Sequence, residues 1–129
     1  MIEGLFCLAL AVYFEARGEP AAGQLAVAHV IQNRVSDSRF PDNLCDVVTE
    51  ARRAGLNNCQ FSFFCDGKRE AINDDVAWTT SKIIAEASMH VDDITGGATH
   101  YHTTGVNPKW AQSMTVTIKI GNHVFYNSD

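Results

Sequence analysis

No stretch of this chain gathers enough lysine and arginine to follow a phosphate backbone, and its formal net charge of -5 has the wrong sign for one. A nucleic-acid partner is therefore excluded. The same balance gives no long-range attraction to an anionic wall polymer, so binding has to come from a shaped groove. Nor is any apolar run close to the about 20 residues that a bilayer-spanning helix needs. Leu5–Phe14 has the apolar character of a signal-peptide core but lacks a basic segment before it, its nearest charges being Glu3 and Glu15, so it reads as a structural helix and no signal peptide is expected. The four cysteines form no CxxC pair, which removes the common zinc frameworks. There is no internal repeat and no low-complexity linker. What remains is one domain over residues 1–129, long enough to bury a core without metals or several disulfides.

The chain is organised around Tyr13-Phe14-Glu15-Ala16-Arg17-Gly18-Glu19-Pro20. Ile2, Leu5, Phe6, Ala9, Val12, Tyr13 and Ala16 recur at helical spacing, while Leu8, Leu10, Ala11 and Phe14 make the other faces apolar too. Such a helix is covered on most sides, and Glu15 falls near its buried end. Burial penalises an ionised carboxyl, so the position predicts a raised pKa, the condition for an acid that stays protonated near neutrality and donates to a leaving group. The residues alone also allow a structural carboxylate paired with Arg17 or with the next helix.

Gly18 is placed to end this helix, with Glu19 as N-cap and Pro20 as first residue of a second, reaching about Val35 and burying Leu25, Ala28, Ile31 and Val35. Asn33 and Arg34 are candidates to pin it to the rest of the fold. Phe40-Pro41 anchors a loop before Asp42, which is expected to cap a short helix over Leu44, Val47 and Val48. Arg52 to Asn58 has loop character. Cys59 and Cys65 flank Gln60-Phe61-Ser62-Phe63-Phe64 and are the pair expected to bridge, whereas Cys7 reads as a small buried hydrophobe. A third long helix is predicted from about Asn73 to His90, with Val76, Ala77, Ile83, Ile84, Ala87 and Met89 as its apolar contacts. Asp92 and Asp93 then form a polar turn.

Thr99-His100-Tyr101-His102-Thr103 reads as a strand with His100 and His102 on one face and Tyr101 on the other. Met114, Val116, Ile118 and Ile120 alternate with polar residues as a half-buried strand, and Gly121-Asn122 turns it back into His123–Tyr126. The expected architecture is α+β: three main helices, then a small C-terminal antiparallel sheet.

Glu15-Ala16-Arg17-Gly18-Glu19-Pro20, Gly23-Gln24, Asn33-Arg34-Val35, Phe40-Pro41, Cys59-Gln60-Phe61-Ser62, Ala98-Thr99-His100-Tyr101-His102, Pro108-Lys109-Trp110-Ala111 and Ile120-Gly121 with His123, Phe125 and Tyr126 together resemble the cell wall hydrolases of the spore cortex-lytic type. The likeness covers nearly the whole chain, and the order of the motifs makes it specific. It implies a fold similar to lytic transglycosylases and goose-type lysozyme, a peptidoglycan glycan strand as substrate, no cofactor or metal, and Glu15 as catalytic acid. Gln24, Gln60, Phe61, Ser62, Tyr101, His102 and Trp110 are assigned to the sugar chain on the same ground.

Such an enzyme cleaves the β-1,4 bond between N-acetylmuramic acid and N-acetylglucosamine. One carboxyl suffices if the muramic 6-hydroxyl is the nucleophile, and no second acid stands out beside Glu15. A monomer is expected, acting outside the cytoplasmic membrane and arriving there as a phage lysin or as a domain of a longer protein. Two alternatives differ in class. One is a metal-dependent N-acetylmuramoyl-L-alanine amidase built on His100, His102 and His123. The other is a non-catalytic wall-binding module.

Overall fold

The computed structural model describes residues 2–54 and 72–128. Its elements run α1 (Ile2–Ala16), α2 (Ala21–Val35), α3 (Leu44–Ala54), α4 (Asp75–Ser88), β1 (His100–Thr103), a 3-10 turn (Lys109–Ser113), β2 (Thr115–Ile120) and β3 (His123–Asn127). The α+β reading holds, with α3 as the fourth and shortest of the helices.

α1 is the central post. Leu8, Ala9, Ala11, Val12, Tyr13 and Ala16 are buried, and the helix packs against α2, α3 and α4. This is the expected fate of a segment that is apolar on every face. Tyr13 is fully buried, and its hydroxyl accepts from the backbone amides of Asn73 (3.1 Å) and Asp74 (3.0 Å) and from the Arg17 guanidinium, which ties the last turns of α1 to the start of α4.

Several local expectations are corrected. Pro20, not Glu19, is the cap residue of α2, and it supplies no side-chain hydrogen bond. Asn43 rather than Asp42 caps α3, its Oδ1 accepting from the Asp46 amide at 2.9 Å. Arg52 and Arg53 continue α3 instead of starting a loop. On α4 the predicted apolar contacts divide: Ile84 packs against the core and Ala77 and Ala87 are half-buried, but Val76 and Ile83 are 79% and 63% exposed, Met89 is exposed too, and the buried face is made by Ser81, Ala85 and Ser88. Small side chains on that face let the backbone approach α1 and α2, and Ser88 is held by Gln32 Nε2 (2.7 Å) and by His29 Nε2 on its carbonyl (3.1 Å).

Cys7 is no isolated hydrophobe: it is disulfide-bonded to Cys45, linking α1 to α3 across 38 residues of chain. The expected Cys59–Cys65 pair lies outside the described residues.

The sheet has the order β1-β3-β2, antiparallel throughout. Tyr101 pairs with Phe125 and Thr103 with His123, so these residues and Ile120 share the face that meets the helices, while His100, His102, Val124 and Tyr126 share the opposite one. β2 departs from strict alternation. A bulge between Val116 and Ile118 pairs Val116 with Tyr126 but Ile118 with Phe125, which puts two residues of one predicted face on opposite sides. Gly121, with φ of +57°, opens the two-residue turn to β3, a position where a side chain is disfavoured.

α2 is pinned to the strand entrance by the pair singled out from sequence. Asn33 Nδ2 donates to Ala98 O (2.9 Å) and to Thr95 Oγ1 (3.2 Å), and Arg34 Nε donates to Thr99 O at 2.7 Å. The buried Arg34 guanidinium lies 4.5 Å above the Phe40 ring, which is how the Phe40-Pro41 anchor is held.

Candidate active site

Glu15 occupies the last turn of α1, half-buried, with its neighbours Tyr13 and Ala16 in the core. The helix delivers it to the helix-facing side of β1, where the Tyr101 hydroxyl donates to Glu15 Oε1 at 2.6 Å. Tyr101 is only 3% exposed. Its ring is wedged between His123 (5.0 Å, edge-on) and Phe125 (5.6 Å), so the hydroxyl has little freedom to leave the carboxyl.

Next to this pair lies a second carboxylate that the sequence misplaced. Glu19 reaches across to the β2–β3 turn, its Oε1 accepting from the Asn122 amide (2.9 Å) and its Oε2 from Asn122 Nδ2 (3.2 Å). His123 Nδ1 stands 3.9 Å from Glu19 Oε1. Gln24 is turned inward, Nε2 donating to the Glu19 carbonyl at 3.0 Å. Gln24 Oε1 and His123 Nδ1 are two of the three buried side-chain polar atoms that lack a hydrogen-bond partner among the described residues. Burial holds His123 below the ordinary histidine range; the Glu19 carboxylate pulls the other way and His102 adds to the depression.

His102 and Trp110 do not join Glu15. Strand alternation puts His102 on the far face of β1, where it stacks on Tyr126 (5.2 Å) and meets the Trp110 ring edge-on at 5.7 Å. Its Nδ1 donates to Thr103 O (2.7 Å), so Nε2 accepts from the Tyr126 hydroxyl (2.7 Å) and both ring nitrogens are engaged. His100 sits in the same aromatic cluster, 5.1 Å from Trp110. Its pKa is lowered to about 4 by burial and by the nearby Arg34 and Arg39 guanidinium groups. His123 faces the opposite side of the sheet from His100 and His102, so these three histidines cannot converge on one ion. Among the described residues no three His, Cys, Asp or Glu side chains are grouped to hold a metal. Gln60, Phe61 and Ser62 lie outside the described residues.

A cavity of about 700 Å³ opens between Glu3, Gln32, Val35, Asp42, Leu44 and Met89. It lies at the opposite end of α1, twelve residues or roughly 18 Å along the axis from Glu15, and takes no part in this site. Among the described residues no helix is long and apolar enough to cross a membrane.

The chain is similar to known proteins in both sequence and fold. Residues 18–126 match the family described as Cell Wall Hydrolase, a stretch that begins three residues after Glu15. The chain is 36% identical to the spore cortex-lytic enzyme of Halalkalibacterium halodurans over 93% of its own length and 33% of that protein. With the spore cortex-lytic enzyme of Bacillus cereus it shares 35% identity over 92% of its length and 42% of the relative. It thus spans between a third and a half of these relatives. Among solved structures it is similar to the catalytic domain of the Bacillus cereus SleB protein, with a TM-score of 0.77, 30% identity, and coverage of 98% of this chain and 91% of that one. The catalytic domain of the germination-specific lytic transglycosylase SleB from Bacillus anthracis superimposes with a TM-score of 0.78 at 30% identity, covering 98% and 96%. The lysozyme-like fold expected from the motifs is therefore the fold observed.

Proposed function

The chain belongs to the cell wall hydrolase family, and we propose that it cleaves peptidoglycan glycan strands at the β-1,4 bond between N-acetylmuramic acid and N-acetylglucosamine, as a lytic transglycosylase with Glu15 as its acid and base. One observation carries the reading: a carboxyl at the end of a buried helix, its orientation fixed by a buried tyrosine hydroxyl 2.6 Å away. The likeness to two solved catalytic domains, one of them from a germination-specific lytic transglycosylase, supports it.

In the first half of the reaction protonated Glu15 gives its proton to the glycosidic oxygen as the C1–O bond breaks, leaving an oxocarbenium-like muramic residue. The resulting carboxylate then takes the proton of the muramic 6-hydroxyl, O6 bonds to C1, and a 1,6-anhydro ring closes. Glu15 ends protonated and no water is consumed. One carboxyl serves both steps, which suits a site where the neighbouring acid, Glu19, is committed to the Asn122 turn. Tyr101 keeps the carboxyl in one orientation through both transfers, so less of the barrier goes into ordering it. The substrate polymer lies outside the cytoplasmic membrane, and that is where the enzyme acts.

The test is digestion of purified sacculi followed by mass spectrometry. Anhydro-muramic ends are expected, and they should vanish with Glu15→Gln while the circular dichroism spectrum stays unchanged. Reducing ends would replace transglycosylation by hydrolysis, and free stem peptides would replace the glycosidase by an amidase.

A further inference from the structure

Glu19 is hydrogen-bonded into both elements that carry the Glu15–Tyr101 pair, directly at the end of α1 and through Asn122 at the end of β1. Its amide donates to the Ala16 carbonyl at 2.9 Å, one residue from Glu15, so it closes the end of α1. Its carboxylate holds Asn122, whose carbonyl in turn accepts from the Thr104 amide at 2.8 Å, just past the end of β1. A third path runs through side chains: His123 lies between Glu19 Oε1 at 3.9 Å and the Tyr101 ring at 5.0 Å. The fit is close. A Cβ on Gly121 would stand 2.6 Å from Glu19 Oε1, so the turn needs glycine there for the carboxylate to reach it.

We infer that Glu19 is a positioning residue for the proposed acid, clamping the β2–β3 turn to the α1–α2 corner so that Tyr101 meets Glu15 at hydrogen-bond distance. The inference rests on the assignment of Glu15 above. It places a charged, largely buried side chain four residues from the acid under a mechanical duty rather than a chemical one. Gln24 supports the same corner, its amide donating to the Glu19 carbonyl. Glu19 has no step in the proton transfers, and it acts only through Tyr101.

A mere stability clamp would make the same contacts, so the test has to read the pair itself. Glu19→Gln keeps the size and one acceptor but loses the charge. It is expected to lower kcat by about tenfold or more with KM little changed, since a misplacement near 1 Å is enough for such a loss. Because Glu19 acts through Tyr101, the Glu19→Gln/Tyr101→Phe double variant should be no slower than Tyr101→Phe alone. Gly121→Ala, which displaces the carboxylate without altering it, should reproduce the loss and covers the case in which Glu19→Gln fails to fold. Independently of activity, the 13C resonance of the Glu15 carboxyl at neutral pH should move in Glu19→Gln towards its position in Tyr101→Phe. An unchanged kcat, multiplicative losses in the double variant, or a Glu15 resonance that stays at the wild-type position would each overturn the inference. If wild-type protein releases no glycan fragments, the functional proposal falls, and the carboxyl resonance still decides the role of Glu19.

Discussion

Tyr101 and Glu15, 86 positions apart in the chain, meet in a 2.6 Å hydrogen bond with the phenol as donor. One side chain comes from the end of a helix and the other from the helix-facing side of a four-residue strand.

Replacing Tyr101 by Phe removes this donor and leaves the ring packing on His123 and Phe125 intact. The expected result is a fall in kcat of about one to two orders of magnitude with KM nearly unchanged. Stability should drop by only about 1 kcal/mol, read from chemical unfolding. A Tyr101→Phe enzyme at full speed would show that the hydrogen bond plays no part in the reaction.

Arg34 is the anchor of α2, and its loss should register in stability. Arg34→Met retains much of the contact with Phe40 but leaves the Thr99 carbonyl, in a residue 3% exposed, without its 2.7 Å donor. A destabilisation of about 2–3 kcal/mol is expected, seen as a lower urea midpoint at unchanged m-value. Arg34→Lys should recover little of it, since an ammonium neither stacks as a plane on the ring nor donates from the Nε position.

The Cys7–Cys45 bridge closes a loop of 38 residues. On the chain-entropy account its reduction costs about 4 kcal/mol, so the thermal midpoint in a reducing buffer should fall well below that in an oxidising one. Cys7 is eight residues before Glu15, roughly 12 Å along α1. Reduced protein kept below its melting point should therefore retain its rate on peptidoglycan, and a rate that tracked the redox state in still-folded protein would contradict this separation.

Acid should weaken the fold in two stages. The folded-state pKa of His100 lies at about 4 against an ordinary 6.5, first because of burial and then because of Arg34 and Arg39. Between those values the unfolded chain binds a proton that the folded chain refuses, so stability declines as pH falls through that window. His123 is shifted in the same direction and adds to the slope. Asp93 contributes below it. Burial disfavours its ionised form, but hydrogen bonds from the Thr95 hydroxyl and amide, the Gly97 amide and Asn33 outweigh that, holding its carboxyl below the usual range, so its stabilisation is lost as pH falls past the unfolded value of 3.8. Urea midpoints measured from pH 7 to pH 4 should flatten in His100→Gln; an equal slope in that variant would rule out His100 as its source.

Much of this was legible in the sequence because it is local. The uniform apolarity of α1, the helical period of α2, and the Gly121-Asn122 turn each follow from a few neighbouring residues. The motif at Glu15 and the strand bearing Tyr101 were also visible, and alternation already put His102 on the other face, which the grouping of Tyr101, His102 and Trp110 in one groove overlooked. What escaped depends on distant partners. Cys7 reads as a hydrophobe until Cys45 is known to sit beside it, and Glu19 reads as a helix cap until the hairpin folds back onto it. Tyr13 was seen as core and missed as a three-way acceptor, although an Arg four residues on and the polar end of a buried helix were a signal for its hydroxyl. On α4 only Ile84 and the half-buried Ala77 and Ala87 were placed from the pattern, since Ser81, Ala85 and Ser88 gain from closeness, which a hydrophobicity pattern does not register.

The bulge at Thr117 bears on how the molecule behaves in crowded company. β2 is an outer strand of the sheet, and exposed Val116 and Ile118 would make it an adhesive border were its pleat regular. Two residues facing one across the bulge break the row of outward amides and carbonyls halfway along, and Lys119 adds charge beyond it. A strand from another copy finds no continuous ladder to extend, which guards the molecule against polymerising on itself.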